Sequence, residues 1–543
     1  MPCVSYAPFR DGQSPFDETL VIAPEQIEAD LQILAGLTGC VRIYSVDQGL
    51  AQVPAIAERL GLEVLLGAWL GRDAERNAEE VAAVIELAHR HPHALRSVIV
   101  GNEVLLRREM PADRLIEQIR TVAAAVPVPV SYADVWEFWL QHPEVAEAVD
   151  FLTIHILPYW EDRPVAVDAA ADHVGEVMAT MRRAFPGKPI LIGEIGWPSR
   201  GRMREQALPS PVNQARFVRE ILAMAERDGL AINLMEGIDQ PWKRRLEGTV
   251  GGFWGILDAQ RRPKVPLSGP VSGEPRWLAF AAASAALALL PILWAAIRAP
   301  RLRRRAWLAL AVNAPAAASA LVVAAAGMAA TSVGPFDWET ALARLAVAGG
   351  SLALTTHVLL AGSGARPTAA VALVERIRKG RLRGMANPAD GLGWLRLLTL
   401  FGIAATSLCL AFDGRYREFP VAAYAPAVGC FLALAWLGRG HTRNQARGHG
   451  GAREEAALAV VAVAAAATVL VGEGLGNTQA LAWTGVVLAA AAIPALELWP
   501  RPVGLRPDRA ERGEKHGGGA QFGIVEHEGQ GAGGGRRQDG EPA

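Results

Sequence analysis

Two glutamates stand at the ends of short, β-rich apolar runs in the first half of the sequence. Glu103 ends the string Val-Gly-Asn-Glu after the run 97–100, and Glu194 lies in Gly-Glu-Ile-Gly-Trp-Pro-Ser after the run 189–192. A parallel α/β barrel keeps its catalytic groups at the C-terminal ends of its strands. Cleavage of a glycosidic bond uses two carboxyl groups, one to protonate the leaving oxygen and one to act at the sugar carbon. A single glutamate of this kind is more often a surface carboxylate, but two in matched positions predict a catalytic pair.

Strand-like and helical patterns alternate through residues 1–265, which indicates how the two glutamates are positioned. The β-rich runs are 3–9, 40–46, 63–70, 97–103, 129–136, 151–160, 189–197 and 232–242, and the helical patterns are 24–37, 75–90, 111–126, 167–185 and 211–228. This alternation predicts a TIM-type (β/α)₈ barrel. Little sequence remains for an eighth helix, so we expect imperfect closure. A doubly wound sheet is the alternative, but no Gly-x-Gly-x-x-Gly follows the first run.

Polar and aromatic residues gather at the C-terminal ends of these runs. Aromatic rings stack on the C–H faces of sugars, and carboxylates and amides pair with hydroxyls, so the mixture predicts a sugar cleft. The candidate substrate-binding residues are Tyr6, Tyr44, Asn102, Tyr132, Asp134, Trp136, His155, Tyr159, Trp197, Glu236, Trp242 and Lys243. Any one tryptophan is more often core than subsite. His155 is explained equally well as a hydrogen-bonded barrel histidine, and Lys243 either orients Glu236 or belongs to a solvated basic turn.

Composition divides the 543 residues, which carry a formal net charge of -1 and four cysteines, into two unlike halves. The near-neutral charge gives no reason to expect nucleic acid as a partner. From Trp277 onward, seven runs of about 17–25 apolar residues have the length of bilayer spans: 277–297, 306–330, 340–361, 394–412, 420–437, 455–471 and 478–498. The predicted organisation is a barrel over 1–265, a linker over 266–276, an all-α transmembrane domain of about seven helices over 277–499 and a disordered tail over 500–543.

Arginine-rich loops alternate with neutral or acidic ones between the spans. The basic segments are 298–305, 362–393, 438–454 and the tail, and the others are 331–339, 413–419 and 472–477. Because positive loops stay in the cytoplasm, this pattern predicts a multi-pass inner (cytoplasmic) membrane protein with a cytoplasmic tail and an extracytoplasmic barrel. No leading span precedes the first strand, so either the natural start lies upstream with a signal anchor or the barrel lies in the cytoplasm against the charge rule, and we favour the upstream start. Cys3 and Cys40 begin adjacent strands, and the sequence leaves open whether they pair.

The strings Val100-Gly101-Asn102-Glu103 and Gly193-Glu194-Ile195-Gly196-Trp197-Pro198-Ser199 resemble glycoside hydrolase family 17, the β-1,3-glucanase family, over about residues 3–265. The nearest likeness is to bacterial membrane-anchored members, which include transglycosylases. The family usually has Thr where Ile195 stands. The resemblance implies a retaining mechanism with Glu103 as acid/base and Glu194 as nucleophile, and Asn102 on the sugar 2-hydroxyl. We expect Glu103 to be neutral and Glu194 ionised in the free enzyme.

Three functions compete at this point. The first is an extracytoplasmic β-glucan hydrolase or transglycosylase, with a membrane glucan synthase or exporter as a candidate partner. The second is a catalytically idle β-glucan-binding or sugar-sensing membrane protein associated with glucan export, and the third is a transporter with a sugar-sensing domain. Both carboxylates are intact, which disfavours the second, and paired polar residues in the spans are sparse, which disfavours the third. We expect no cofactor and no metal, because the histidines of the string 89–93 fall at a helix end.

Overall fold

Eight parallel strands form a closed barrel in the first half of the chain. The computed structural model describes residues 2–362, 366–379, 387–413, 415–438 and 453–498, so the predicted tail over 500–543 falls outside the described residues. The strands are β1 (Cys3–Ser5), β2 (Cys40–Ile43), β3 (Glu63–Ala68), β4 (Leu95–Asn102), β5 (Val130–Val135), β6 (Leu152–His155), β7 (Ile190–Ile195) and β8 (Ala231–Leu234). Each strand pairs with the next, and β8 pairs with β1, where Cys3 lies opposite Asn233. The predicted TIM-type barrel is confirmed.

Helices surround the barrel, although the last of them is very short. They are α1 (Pro24–Ala35), α2 (Val53–Leu60), α3 (Ala74–Arg90), α4 (Ala112–Ala125), α5 (Trp136–Gln141), α6 (Val167–Ala184), α7 (Pro211–Asp228) and α8 (Arg244–Glu247). The expectation of imperfect closure is wrong, because closure depends on the pairing of β8 with β1 and not on a full eighth helix. The sequence missed α2 and α5, since both are too short for a clear helical period, and Trp136 begins α5 instead of ending a strand.

Local chemistry sets where the helices begin and end, as α7 illustrates. The Ser210 hydroxyl accepts from the N–H of Asn213, and Pro211 is the first helical residue, where its missing N–H costs nothing. Gly229 ends the helix in the left-handed region with φ 63°, which glycine adopts without strain. The chain is thereby turned directly into β8, one of the strands that borders the strand end of Glu194.

The barrel interior is layered. An apolar cluster fills one level of it, formed by Cys3, Cys40, Leu65, Ile99, Ala133 and Leu191. Cys3 and Cys40 are joined by a disulfide, which answers the pairing that the sequence left open. Closer to the C-terminal strand ends, the Asn233 amide donates to Ser5 Oγ and to the Gly193 carbonyl, both at 2.8 Å. This buried polar level ties β1, β7 and β8 together directly beneath the strand ends.

Residues 277–498 form the helical half: α9 (Trp277–Arg298), α10 (Arg304–Thr331), α11 (Pro335–Leu360), α12 (Ala370–Arg378), α13 (Pro388–Phe412), α14 (Val421–Leu437), α15 (Arg453–Glu473) and α16 (Thr478–Leu498). Among the described residues, six helices are long and apolar enough to cross a bilayer: α9, α10, α11, α13, α15 and α16. The predicted fifth span is α14, an apolar helix of 17 residues. The nine-residue α12 was not predicted. One ion pair, Arg396 with Glu455 at 2.8 Å, is buried between α13 and α15.

Three connections of the helical half, with the helix ends that flank them, contact the barrel, and we call them the docking loops: 332–334, 415–419 and 474–477. At the first, Arg202 pairs with Asp337 at 2.7 Å, and the Arg244 guanidinium donates to the carbonyls of Ala329 at 2.8 Å and Ser332 at 3.0 Å. Arg202 follows β7 and Arg244 follows β8, so the barrel docks through the loops at its C-terminal face.

The second and third docking loops make backbone contacts with the segment after β7. Met203 and Arg417 exchange two backbone hydrogen bonds, at 3.1 and 2.7 Å, in an antiparallel bridge. The Gln206 amide donates to the Glu473 carbonyl at 3.1 Å, and the Asn477 amide donates to the Glu205 carbonyl at 3.3 Å. All three docking loops fall within the neutral or acidic connections that the sequence predicts to be extracytoplasmic.

Candidate active site

The two predicted catalytic glutamates meet at the C-terminal end of the barrel, with His155 between them. Glu103 directly follows β4, Glu194 lies on β7, and His155 ends β6 opposite Glu194 in register. His155 Nδ1 lies 2.9 Å from Glu103 Oε1, and its Nε2 lies 3.6 Å from Glu194 Oε1. One ligand atom from each of the three side chains lies within 4.8 Å of the others. The histidine that the sequence left undecided therefore contacts both carboxylates.

Glycines beside the glutamates permit this close approach. Gly101 has φ 87°, and a Cβ there would lie 2.9 Å from the Val104 side chain. A Cβ on Gly193 would lie 2.3 Å from the Thr153 side chain, so only glycine lets β7 approach β6 at this level. Glu103 itself has φ 54°, in the left-handed region that disfavours a side chain. The backbone is constrained where it presents the carboxylates.

Arg42 is the site residue that the sequence analysis missed. It lies on β2 with its side chain 1% exposed, 3.6 Å from Glu194 Oε1. Its guanidinium donates to the Gly193 carbonyl and to Asn102 Oδ1, both at 2.7 Å. Asn102 is thus held beside the pair, as predicted. The sequence feature that could have identified Arg42 is its position as a single arginine in the otherwise apolar string Cys-Val-Arg-Ile, because a buried charge is unusual in a barrel strand.

The free site holds Glu103 as a carboxylate. Burial raises the pKa of Glu103, but the hydrogen bond and charge of His155, helped by Arg107 and Arg42, outweigh burial, so the net pKa lies below its ordinary value. The expectation that Glu103 is neutral in the free enzyme is wrong, because the sequence did not place a histidine against it.

Tyr132 and Asp134 support the loop that carries Glu103. The Tyr132 hydroxyl donates to Asp134 and accepts from the Leu105 N–H at 3.0 Å. Asp134 also accepts from the N–H groups of Leu106 at 3.4 Å and Val135 at 2.8 Å. Burial raises the pKa of Asp134 to about 6. Both residues are fully buried, so they position Glu103 and do not face the cleft as predicted.

Glu236 and Lys243 form an ion pair beside the site. Lys243 Nζ lies 2.8 Å from Glu236 Oε2, and the lysine side chain is only 12% exposed, so the solvated-turn alternative is wrong. Burial raises the pKa of Glu236, while Lys243 opposes it. Half-buried Tyr44 hydrogen-bonds Ser5 at 2.8 Å, and the Arg42 guanidinium lies 4.5 Å above its ring. Burial and, after it, the Glu194 charge raise the pKa of Tyr44.

Glu247 is a second group that the sequence did not indicate. It ends α8, and burial raises its pKa to about 7. Lys243 lowers that pKa, and the charges of Glu236, Glu194 and Glu103 raise it. Lys243, which pairs with Glu236 at 2.8 Å, directly precedes α8, so this short helix begins at the rim of the carboxylate site.

The predicted aromatic residues form two groups, one fully buried in the wall of the barrel and one partly exposed. Tyr6, Tyr159 and Trp197 are fully buried and donate to Asp30, the Arg202 carbonyl and the Leu208 carbonyl, so they pack in the wall. These predictions of sugar contact are wrong, because position at a strand end does not fix which way a ring points. Trp136 and Trp242 are half-buried, and their indole N–H groups donate to Glu161 at 3.3 Å and Gln240 at 2.9 Å. Their rings remain partly open.

Glu103, His155 and Glu194 are close enough to share a cation, although no metal site was expected. The buried Arg42 charge already lies 3.6 Å from Glu194, and a second positive charge there would be repelled. The arrangement fits proton transfer and nucleophilic attack better than metal binding. It offers a carboxylate paired with a histidine on one side and a carboxylate paired with an arginine on the other.

A closed (β/α)₈ barrel with two carboxylates close together at the C-terminal ends of its strands defines the class of enzymes that act on O-glycosyl bonds. Within that class, residues 3–255 match the family described as the BtgE/BtgC glycoside hydrolase domain. The resemblance to family 17 is confirmed, since its members are among the proteins that match this barrel.

Two yeast proteins illustrate the similarity. The chain is 28% identical over 257 residues to the glucan 1,3-beta-glucosidase of Schizosaccharomyces pombe, covering 44% of this chain and 79% of that protein. It is 25% identical over 263 residues to the glucan 1,3-beta-glucosidase of Saccharomyces cerevisiae, covering 44% and 84%. Among solved structures, a glycoside hydrolase family 17 beta-1,3-glucanosyltransferase from Rhizomucor miehei is 24% identical, with a TM-score of 0.44, and covers 50% of this chain and 98% of its own.

Proposed function

We propose that this protein is a membrane-anchored, retaining β-1,3-glucan-active enzyme whose barrel works outside the cytoplasm. The observation that carries the proposal is the cluster of Glu103, His155 and Glu194 at the strand ends, with ligand atoms within 4.8 Å. Retaining enzymes hold their carboxyl groups about 5–5.5 Å apart, whereas inverting enzymes separate them further to admit a water. The names of the matched relatives support β-1,3-glucan as the substrate.

In the proposed first step, Glu194 attacks the anomeric carbon while the glycosidic bond breaks. The proton held between Glu103 and His155 passes to the leaving oxygen, and the sugar remains bound to Glu194 as an ester. Arg42, 3.6 Å from Glu194, orients that carboxylate for attack. Asn102, fixed through its Oδ1 by Arg42, directs its amide N–H groups to the sugar 2-hydroxyl.

In the second step, Glu103 accepts a proton from a water or from a sugar hydroxyl, and the resulting oxygen displaces Glu194. Water gives hydrolysis, and a sugar gives transfer. We propose that transfer dominates, because aromatic surface at the site holds an acceptor sugar and excludes water. The buried Trp197 and Trp254 do not contribute that surface, so half-buried Trp136, Trp160 and Trp242 are its source.

Three observations support a barrel that lies outside the cytoplasm and is anchored to the membrane. The docking loops belong to the neutral or acidic connections, and the arginine-rich connections lie at the other ends of the helices. Six helices have the length and composition of bilayer spans. The Cys3–Cys40 disulfide suits an oxidising compartment and is uncommon in the cytosol. A membrane glucan synthase or exporter remains the proposed partner for such an anchored enzyme.

The carboxylate assignment is tested on full-length protein in nanodiscs with laminari-oligosaccharides. Glu194→Gln should abolish turnover, because the ester cannot form. Glu103→Ala should lower turnover of natural sugars about 10²–10⁴-fold. It should keep activity on aryl glucosides, because their leaving group needs little protonation, and azide should restore activity to this variant. Glu58→Gln is the matched control, since it breaks a surface carboxylate–histidine pair of 2.8 Å with His91 and should change nothing. Wild-type turnover in Glu194→Gln would refute the assignment.

Transfer is tested by the products from one pure laminari-oligosaccharide. Mass spectrometry should find chains longer than the substrate, and NMR should find the anomeric configuration retained. Only shorter products at every donor concentration would replace transfer by hydrolysis. An inverted product would remove the proposed role of Glu194 as nucleophile.

A further inference from the structure

An aromatic residue of the helical half reaches the barrel beside the active site. Tyr416 lies in the second docking loop, and its ring meets Trp160 edge-on, with centroids 6.3 Å apart and planes at 90°. Trp160 stacks on the other side against Trp254, at 6.4 Å and 14°. Trp254 is 1% exposed and belongs to the core, whereas Trp160 and Tyr416 are both half-buried. The two half-buried rings form an aromatic corner shared by the two halves of the chain.

This corner adjoins the rim of the carboxylate site. A Cβ on Gly248 would lie 3.6 Å from the Tyr416 ring, so the ring packs directly on the residue after α8. Lys243, the residue before α8, pairs with Glu236 at 2.8 Å, and Glu236 follows β8, which pairs with β7 beside Glu194. The segment from Lys243 to Gly248 therefore runs from the carboxylate side of the barrel to Tyr416.

The loop that carries Tyr416 is fixed on both sides of the ring. The neighbouring Arg417 bridges the Met203 backbone and pairs with Glu473 at 2.5 Å. Glu418 lies 3.7 Å from Arg202 of the barrel and 3.7 Å from Arg344 of α11. Because the loop is anchored to barrel and helices alike, the ring needs little ordering when a ligand arrives. The Arg415 guanidinium, 5.7 Å above the ring, adds donors for hydroxyl groups.

We propose that Tyr416 and Trp160 form a glucosyl-binding subsite of the cleft, one wall of which comes from the membrane half. The inference rests on the proposed function and deepens it. The ligand is a glucosyl unit of a β-glucan chain that lies away from the scissile bond, held by its C–H faces on the two rings. The helical half is thereby part of the substrate site and not only an anchor.

The test compares substrates of increasing length on full-length protein in nanodiscs. Tyr416→Ala should raise KM for longer laminari-oligosaccharides about three- to tenfold, the loss expected for one aromatic contact. An aryl glucoside, too short to reach the corner, should keep its kcat/KM. Tyr416→Phe keeps the ring and should resemble the wild type. Phe412→Ala removes an 87% exposed ring from the end of α13 and serves as the matched control.

Each outcome decides the matter. If Tyr416→Ala lowered kcat/KM equally for short and long substrates, the ring would only support the fold. If it lowered kcat/KM for neither, the sugar would not reach the ring. Both results would overturn this inference while leaving the proposed function intact. A wild-type protein inactive on every laminari-oligosaccharide would overturn the proposed function and this inference together.

Discussion

At the scale of single residues, the contact between His155 and Glu103 decides the protonation of the site. Removing the histidine in His155→Gln leaves burial to dominate, so the pKa of Glu103 should rise above its ordinary value. Turnover of laminari-oligosaccharides should fall about tenfold or more, because the proton reservoir is lost. Carbon-13 NMR of labelled glutamate measures the pKa directly.

The surface variant His91→Gln is the control, since it breaks the pair with Glu58 and should leave the Glu103 titration unchanged. An unaltered pKa of Glu103 in His155→Gln would contradict the assignment. Because the pKa of Glu103 is lowered in the native site, ionised Glu103 contributes to the free energy of unfolding, and this contribution is lost as the pH falls through that pKa. The variant His155→Gln should remove this contribution.

Residue types and spacing predicted the carboxylates but not their neighbours. Glu103 and Glu194 stood out because each followed an apolar strand. Arg42 was missed although it is charged within such a strand. Tyr6 and Trp197 were misassigned because a strand alternates its side chains between two faces, and the sequence did not say which face the rings would take.

At the scale of elements, the disulfide joins β1 to β2 over a sequence separation of 37. Cys3→Ser with Cys40→Ser should lower the free energy of unfolding of the barrel by about 3–4 kcal/mol, the entropy of closing a loop of this length. Chemical denaturation followed by tryptophan fluorescence measures the change. Reduced wild type should match the double variant, and a variant as stable as the oxidised wild type would show that the bond is not formed.

Elements were predicted well where they are long. The eight strands, the principal helices and the apolar spans fell at the expected places. Closure was misjudged because β1 has three residues and β8 four, too few to show that they pair with each other. The docking loops had no signature of contact, since their partners lie 85 or more residues away along the chain.

At the scale of the whole molecule, the alternation of charged loops fixes the topology that we expect. A reporter fused after residue 500 should be active only as a cytoplasmic fusion, and protease added outside spheroplasts should reach the barrel. A cysteine reagent applied to single cysteines in 298–305 and in 474–477 provides the internal control, because these loops should label from opposite sides. A barrel accessible only from the cytosol would contradict this topology.

The three docking loops hold the barrel at separate points, through Arg202, Arg417 and Asn477. A body fixed at one point can swivel, whereas a body fixed at three cannot. The mouth of the cleft therefore keeps one heading relative to the helices, close to the ends of α10, α13 and α15. We therefore expect the proposed enzyme to act on single glucan chains that approach the cleft from one direction.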